Sequence, residues 1–158
     1  MINIEIEMEN GGVIKAELYP ETAPVTVDNF VGLVRKGFFD GLIFHRVISG
    51  FMIQGGAYKT DGNVKQAESI KGEFRSNGID NDLKHTRGVL SMARTMLPNS
   101  ASSQFFIMHE DAPHLDGQYA AFGKVTDGIE VVDEIANVPT DMYDKPIEDQ
   151  IIKTIRLV

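Results

Sequence analysis

The first eight residues alternate, with Ile2, Ile4, Ile6 and Met8 on one face and Asn3, Glu5 and Glu7 on the other. A period of two predicts a half-buried strand. Glu9-Asn10-Gly11-Gly12 is a turn signal, and Val13 to Leu18 reads as the returning strand of a hairpin. After Thr22-Ala23-Pro24 the period changes. Val27, Phe30, Val31 and Val34 recur at i, i+3, i+4 and i+7, which predicts a helix closed by Arg35, Lys36 and Gly37. Pro24 is tolerated in its first turn, because its missing N–H has no intrahelical partner there. A second helix is predicted from about Gly128 to Ala136, with Ile129, Val132 and Ile135 apolar. Short apolar runs at Ile43–Ile48, Phe51–Gln54, Gly88–Ala93, Ser103–Met108 and Ala121–Val125 read as strands, and Ile151–Val158 as another.

About eight strands with two well-separated helices do not alternate as a parallel α/β fold requires. The expected architecture is mainly β: an eight-stranded antiparallel barrel, closed, with the two helices plugging its open ends. The polar stretch from Ala57 to Lys84, with Gly62, Gly72 and Gly78, reads as a long surface excursion, and loops of that length are commonly functional. No repeat, low-complexity tract or linker interrupts the 158 residues, so one domain over 1–158 is expected.

Composition removes several classes of function. Lys and Arg number 15 against 23 Asp and Glu, a net charge of −8, and no basic cluster is present to bind a phosphate backbone, so no nucleic-acid partner is expected. No apolar run reaches the roughly 18 residues of a membrane span, and no membrane partner is expected. The acidic, alternating start is unlike a signal peptide, and the expected location is cytoplasmic. There are no cysteines, hence no thiolate nucleophile and no Cys-ligated metal. The histidines, His45, His85, His109 and His114, lack the i, i+4 helical pairing of a zinc protease, and no metal is expected. Gly-rich nucleotide loops and the Gly-x-Ser-x-Gly elbow are absent, and nothing positive points to a Ser-His-Asp triad.

Two segments carry polar side chains among apolar ones. In Ile43–Gly56, strand alternation sets Arg46 on a face with Phe44 and Ile48, and Gln54 with Met52. A plain reading is a rim position where Arg46 lies over apolar surface with its head in water. In Ser102–Met108, Gln104 and Phe106 share one face while Phe105 and Ile107 share the other. A strand apolar on both faces must be covered twice or must bind something.

Phe44-His45-Arg46-Val47-Ile48 followed by Gly50-Phe51-Met52-Ile53-Gln54-Gly55-Gly56 resembles the signature of the cyclophilins, the peptidyl-prolyl cis–trans isomerases. Leu90-Ser91-Met92-Ala93, Ser103-Gln104-Phe105-Phe106-Ile107, Leu115-Asp116-Gly117 and Phe122-Gly123-Lys124-Val125 match further family blocks in family order. The resemblance covers essentially the whole chain and is greatest to short bacterial-type single-domain members. It implies an eight-stranded barrel with a substrate groove on its outer surface, and a reaction that breaks no bond and needs no cofactor. By resemblance, Arg46 is the catalytic cation and Gln54 supports it. Phe51, Met52, Phe106 and Leu115 form a socket for the proline ring. Ala93, Arg94 and Thr95 line the peptide, position 94 acting largely through its backbone, and Gln104 completes the polar wall. His45, next to Arg46, is expected to be structural.

Three positions depart from the pattern common in eukaryotic members. Arg94 replaces asparagine, His114 stands in place of tryptophan, and Tyr119 in place of histidine. His114 and Tyr119 would rim the proline socket, so weakened cyclosporin binding is expected with turnover preserved. The implied partners are proline-containing peptides and unfolded or partly folded proteins, handled by a monomer. Two alternatives share the same residues: a non-catalytic proline-peptide-binding module, and a scaffold barrel in which Arg46 is only a rim residue.

Overall fold

The computed structural model describes residues 1–158. Eight strands are present: β1 (Ile2–Met8), β2 (Val13–Leu18), β3 (Phe44–Ile48), β4 (Met52–Gly55), β5 (Val89–Met92), β6 (Phe105–Met108), β7 (Ala121–Asp127) and β8 (Ile152–Leu157). Helix α1 (Pro24–Arg35) lies between β2 and β3 in the chain, and α2 (Ile129–Ala136) between β7 and β8. The strands form one antiparallel sheet in the order β3-β4-β6-β5-β7-β2-β1-β8. No helix is long and apolar enough to cross a membrane.

The sheet curls until its two ends meet at a short seam. Ile43 bridges Ile151, Phe44 N donates to Gln150 O at 3.0 Å, and Ile152 N donates to Leu42 O at 2.8 Å. Beyond that seam β3 does not pair with β8. The segment after α2 covers the edge instead, with Val47 N donating to Asp144 O at 2.8 Å, which satisfies backbone groups that a bare edge strand would leave open.

The hairpin forms in the register its alternation demands. Ile4 faces Ala16 and Ile6 faces Ile14, and all four are buried in the barrel. Glu5 and Glu7 face outward and pair with Arg156 of β8. Helix α1 buries Val27, Phe30, Val31 and Val34 as its period requires, with Thr26 and Leu33 added. Phe30 sits in an aromatic cluster with Phe39, Phe105 and Phe122, at ring-centroid distances of 5.0, 5.3 and 5.2 Å. Such tilted and edge-on pairs contribute beyond their area burial. Helix α2 follows Gly128, whose φ of 84° suits glycine and where a Cβ would collide with the Val13 carbonyl oxygen.

The structure corrects two expectations. The stretch from Ala57 to Lys84 is not wholly a surface excursion, because Gly72, Glu73, Phe74 and Asn81 are buried within it. Helix α1 has no side-chain cap from Ala23, and Glu73 supplies one from a distance: its carboxylate accepts from Thr26 N and Thr26 Oγ1, both at 2.6 Å, and from Val25 N at 3.2 Å. A carboxylate at a helix N-terminus meets both free N–H groups and the positive end of the helix dipole. The second correction concerns β3. Register shifts between Phe44 and Arg46, leaving His45 as the extra residue of a bulge. Phe44 and Val47 therefore point into the core, and Arg46 does not share a face with Phe44.

Candidate active site

Strands β4 and β6 pair Met52 with Met108, Ile53 with Ile107, and Gln54 with Phe106. Ile53, Phe105 and Ile107 enter the main core. Met52, Phe106 and Met108 belong to a second, smaller apolar cluster with Val89, Ala112, Leu115 and Ala121. This cluster lies under the segment around the short 3-10 turn Pro113–Leu115. The strand with two apolar faces is thus covered on both sides, incompletely on the outer one. The bulge at His45 sets Arg46 opposite Gln54 in the register, on that outer side.

The incomplete cover leaves a cavity of about 140 Å³ lined by Arg46, Phe51, Met52, Gln54, Ala93, Arg94, Phe106, Leu115 and Tyr119. Its floor is Phe106, edge-on to Tyr119 at 5.8 Å. Its polar side is a chain of contacts: Arg46 Nη1 donates to Gln54 Oε1 at 3.3 Å, and Gln54 Nε2 donates to Gln104 Oε1 at 3.0 Å. No ion pair in the structure includes Arg46. The guanidinium is an oriented, uncompensated positive charge beside an apolar socket.

Gln104 and Thr95 line a second cavity of about 140 Å³, which shares Gln54, Ala93 and Arg94 with the first. Ser100 and Ser102 form its remaining walls, and no motif in the sequence marks either as a site residue. The backbone N–H and C=O of Arg94 have no partner within the protein, so an extended peptide could pair with them. The Arg94 side chain is anchored elsewhere. Its Nη2 donates to Gln118 O at 2.6 Å and its Nη1 to Thr95 O at 2.9 Å, and the guanidinium lies 4.6 Å from the Phe74 ring and 4.7 Å from the Tyr119 ring. Such cation–π stacking on two rings holds the Arg94 side chain, which lines both cavities, in one place. His114 lies outside both cavities, exposed, with its ring 5.9 Å from that of Phe51.

Nothing in the sequence pointed to the support beneath Phe106. His85 is 1% exposed, with Nδ1 3.0 Å from Asp116 Oδ1, Nε2 2.9 Å from Ser91 Oγ, and its ring stacked 6.0 Å from that of Phe106. Serine, histidine and aspartate do meet here. Ser91 is fully buried in β5, however, and no substrate carbonyl can reach it. Burial pushes the His85 imidazole down from its ordinary pKa, against the opposing pull of Asp116, and the neutral ring serves as a two-ended hydrogen-bonded prop. The members of this prop come from separate parts of the chain, so no local pattern could reveal it.

His45 behaves as expected of a structural residue. Its ring packs on Tyr58 at 4.3 Å, and burial, with the nearby charges of Arg46 and Lys145, pushes its pKa down to about 4. No group of three or more His, Asp or Glu side chains is placed to hold a metal ion.

Residues 3–157 match the family model described as cyclophilin type peptidyl-prolyl cis-trans isomerase/CLD. The chain is 49% identical over 150 residues to a peptidyl-prolyl cis-trans isomerase of Acinetobacter baylyi, covering 90% of this chain and 77% of that one. It is 43% identical over 159 residues to one from Schizosaccharomyces pombe, covering 99% and 100%. A Cryptosporidium parvum cyclophilin, crystallised in the presence of the dipeptide Ala-Pro, superposes with a TM-score of 0.84 at 34% identity, covering 99% of this chain and 98% of that one. By sequence and by fold, the chain belongs to the cyclophilin family of peptidyl-prolyl cis–trans isomerases.

Proposed function

We propose that the chain accelerates rotation about X-Pro bonds at the outer-face cavity, with Arg46 as the catalytic cation. Uncatalysed, the rotation faces a barrier of about 18–20 kcal/mol and takes roughly tens to hundreds of seconds. Amide resonance is what resists it. In the twisted transition state the proline nitrogen becomes pyramidal and regains a lone pair, which neither planar isomer offers. A donor held at that nitrogen therefore binds the transition state better than the ground states, which is the condition for catalysis.

The proline ring occupies the socket of Phe51, Met52, Phe106 and Leu115. Gln54 holds the guanidinium in orientation and is itself held by Gln104. The peptide runs past Ala93, Arg94 and Thr95, pairing with the unpartnered backbone groups of Arg94. The Ala-Pro dipeptide used with the Cryptosporidium parvum cyclophilin fits a ligand of this class. Clients are proline-containing peptides and unfolded or partly folded proteins, met in the cytoplasm by a monomeric single domain. Cyclosporin binds the same socket weakly, because His114 offers less contact than an indole. One observation carries the reading: a guanidinium with no carboxylate partner, oriented by an amide, at the edge of an apolar cavity.

The test is the cis–trans interconversion of a short X-Pro peptide with and without the protein. A rate rising in proportion to protein concentration supports the reading. Binding of the peptide with no change in rate would make the chain a recognition module.

A further inference from the structure

Phe51 lines the proline socket, half-buried against the outer apolar cluster, at the end of a tight turn. Phe51 N donates to Ile48 O at 3.0 Å, and Gly50 within the turn has a φ of 81°. What holds the turn comes from outside it. Gly50 N donates to His109 Nδ1 at 2.8 Å, His109 N donates to Phe51 O at 2.9 Å, and Ser49 Oγ donates to Asn137 Oδ1 at 2.9 Å. The other ring nitrogen, His109 Nε2, lies 3.0 Å from Asp133 Oδ1 on α2. Asp133 is in turn gripped by both ends of the Arg87 guanidinium, at 2.7 and 2.8 Å, and Arg87 also donates to His109 O at 2.9 Å.

These partners decide the state of the ring. An amide N–H can only donate, so Nδ1 must present its lone pair to Gly50, and the single ring proton sits on Nε2 facing Asp133. Only the neutral imidazole with that tautomer satisfies both neighbours. A proton added to Nδ1 would face the Gly50 N–H and break the contact. The charged groups around the ring are Arg87, Glu110 and Asp133, with Asp111 accepting from Arg87 N. The Arg87 contact holds the Asp133 carboxyl below the usual carboxylate range, so Asp133 stays an acceptor as the solution is acidified.

We infer that His109 is a positioning residue for the isomerase site: by accepting the Gly50 N–H at Nδ1, it fixes the Gly50 turn and hence the Phe51 wall of the proline socket. The inference rests on the proposed isomerase reading of that cavity. Phe51 touches the ring in both planar and twisted states, so loosening it weakens binding more than it slows rotation.

Two substitutions separate the ends of the ring. His109→Asn keeps an acceptor where Nδ1 sits and loses the reach to Asp133. His109→Gln reaches towards Asp133 and removes the acceptor from Gly50. In His109→Gln, KM for an X-Pro peptide should rise about three- to tenfold, the scale of one neutral hydrogen bond, with kcat nearly unchanged. His109→Asn should keep KM within about twofold of the parent, even with a lower Tm. Amide exchange at Gly50, read by NMR without any activity, should be slow in the parent and in His109→Asn and fast in His109→Gln. Equal KM and equal Gly50 protection in both folded variants would overturn the inference. A parent protein that binds the peptide without catalysing its rotation would instead sink the isomerase reading, and the Gly50 exchange would still decide the role of His109.

Discussion

The two faces of the β4–β6 pair are built from alternate residues of the same short strands, and they do opposite work. On the inner face, Ile53, Phe105 and Ile107 are completely buried, and Phe105 meets Phe30, Phe39 and Phe44 edge-on at 5.3, 5.6 and 5.9 Å. On the outer face, Met52 and Phe106 are almost as buried, yet their neighbours stop short of covering them and leave the cavity that Arg46 overlooks. Burial alone does not distinguish a structural phenylalanine from a binding one. What distinguishes them is whether the apolar surface is closed by its own chain, and whether a charge without a partner stands at the opening.

Removing one ring from each face breaks the comparison most severely. Phe105→Ala should cost about 3–5 kcal/mol of stability through lost contact and a residual cavity, read as a large fall in Tm or in the urea midpoint. Phe106→Ala should cost less stability, because its outer side already faces a void, and should raise KM for an X-Pro peptide at least about tenfold. Equal destabilisation by the two, with peptide affinity kept in Phe106→Ala, would erase the distinction between the faces.

The rim sharpens it. An indole in place of His114 would add on the order of 60–100 Å² of aromatic contact. At about 25 cal/mol per Å², that is roughly 1.5–2.5 kcal/mol, or about 10- to 100-fold tighter cyclosporin in His114→Trp by calorimetric titration. Turnover of a short peptide should change far less, since such a peptide fills the socket and barely reaches the rim. A parent protein that already binds cyclosporin as tightly as His114→Trp would contradict this reading of the rim.

The smallest effect separates stability from catalysis by pH. His45 titrates near 6.5 when unperturbed and near 4 in the fold. Above pH 6.5 the ring is neutral in the folded and unfolded chains alike. As pH falls the unfolded chain takes up the proton first, so this stability is lost progressively between about 6.5 and 4. Tm should decline over that window and decline less in His45→Phe, with His85 adding to the slope in the same direction. Activity from pH 7 to 9 should stay flat, because a guanidinium does not titrate there.

Much of this architecture is legible in the sequence where a single element decides it. The Ile2–Met8 alternation gives the hairpin register, the Val27–Val34 period gives the buried face of α1, and Phe105 and Phe106 divide between core and cavity as adjacent strand residues must. Every residue lining the main cavity, and all of those lining the adjoining one except its two serines, is among the positions that the family resemblance marks as site residues or as departures from it. Alternation failed at β3, where one bulge residue turns Arg46 away from Phe44 and towards Gln54. It was also silent on partners distant in sequence: Glu73 capping α1, Gln118 and Phe74 anchoring Arg94, and His109 joining Gly50 to Asp133. Those contacts depend on how the barrel closes, which no local period encodes.

The central claim is that catalysis comes from one oriented cation on the outer face and not from the integrity of the barrel. The most direct measurement compares Arg46→Ala with the parent on the same samples, recording kcat/KM for an X-Pro peptide alongside Tm. Loss of one preorganised donor should lower kcat/KM by about 10²–10³, while Tm should hold within a few degrees because Arg46 is exposed and belongs to no ion pair. A folded Arg46→Ala protein that isomerises the peptide at the parent's rate would remove the cation from the mechanism.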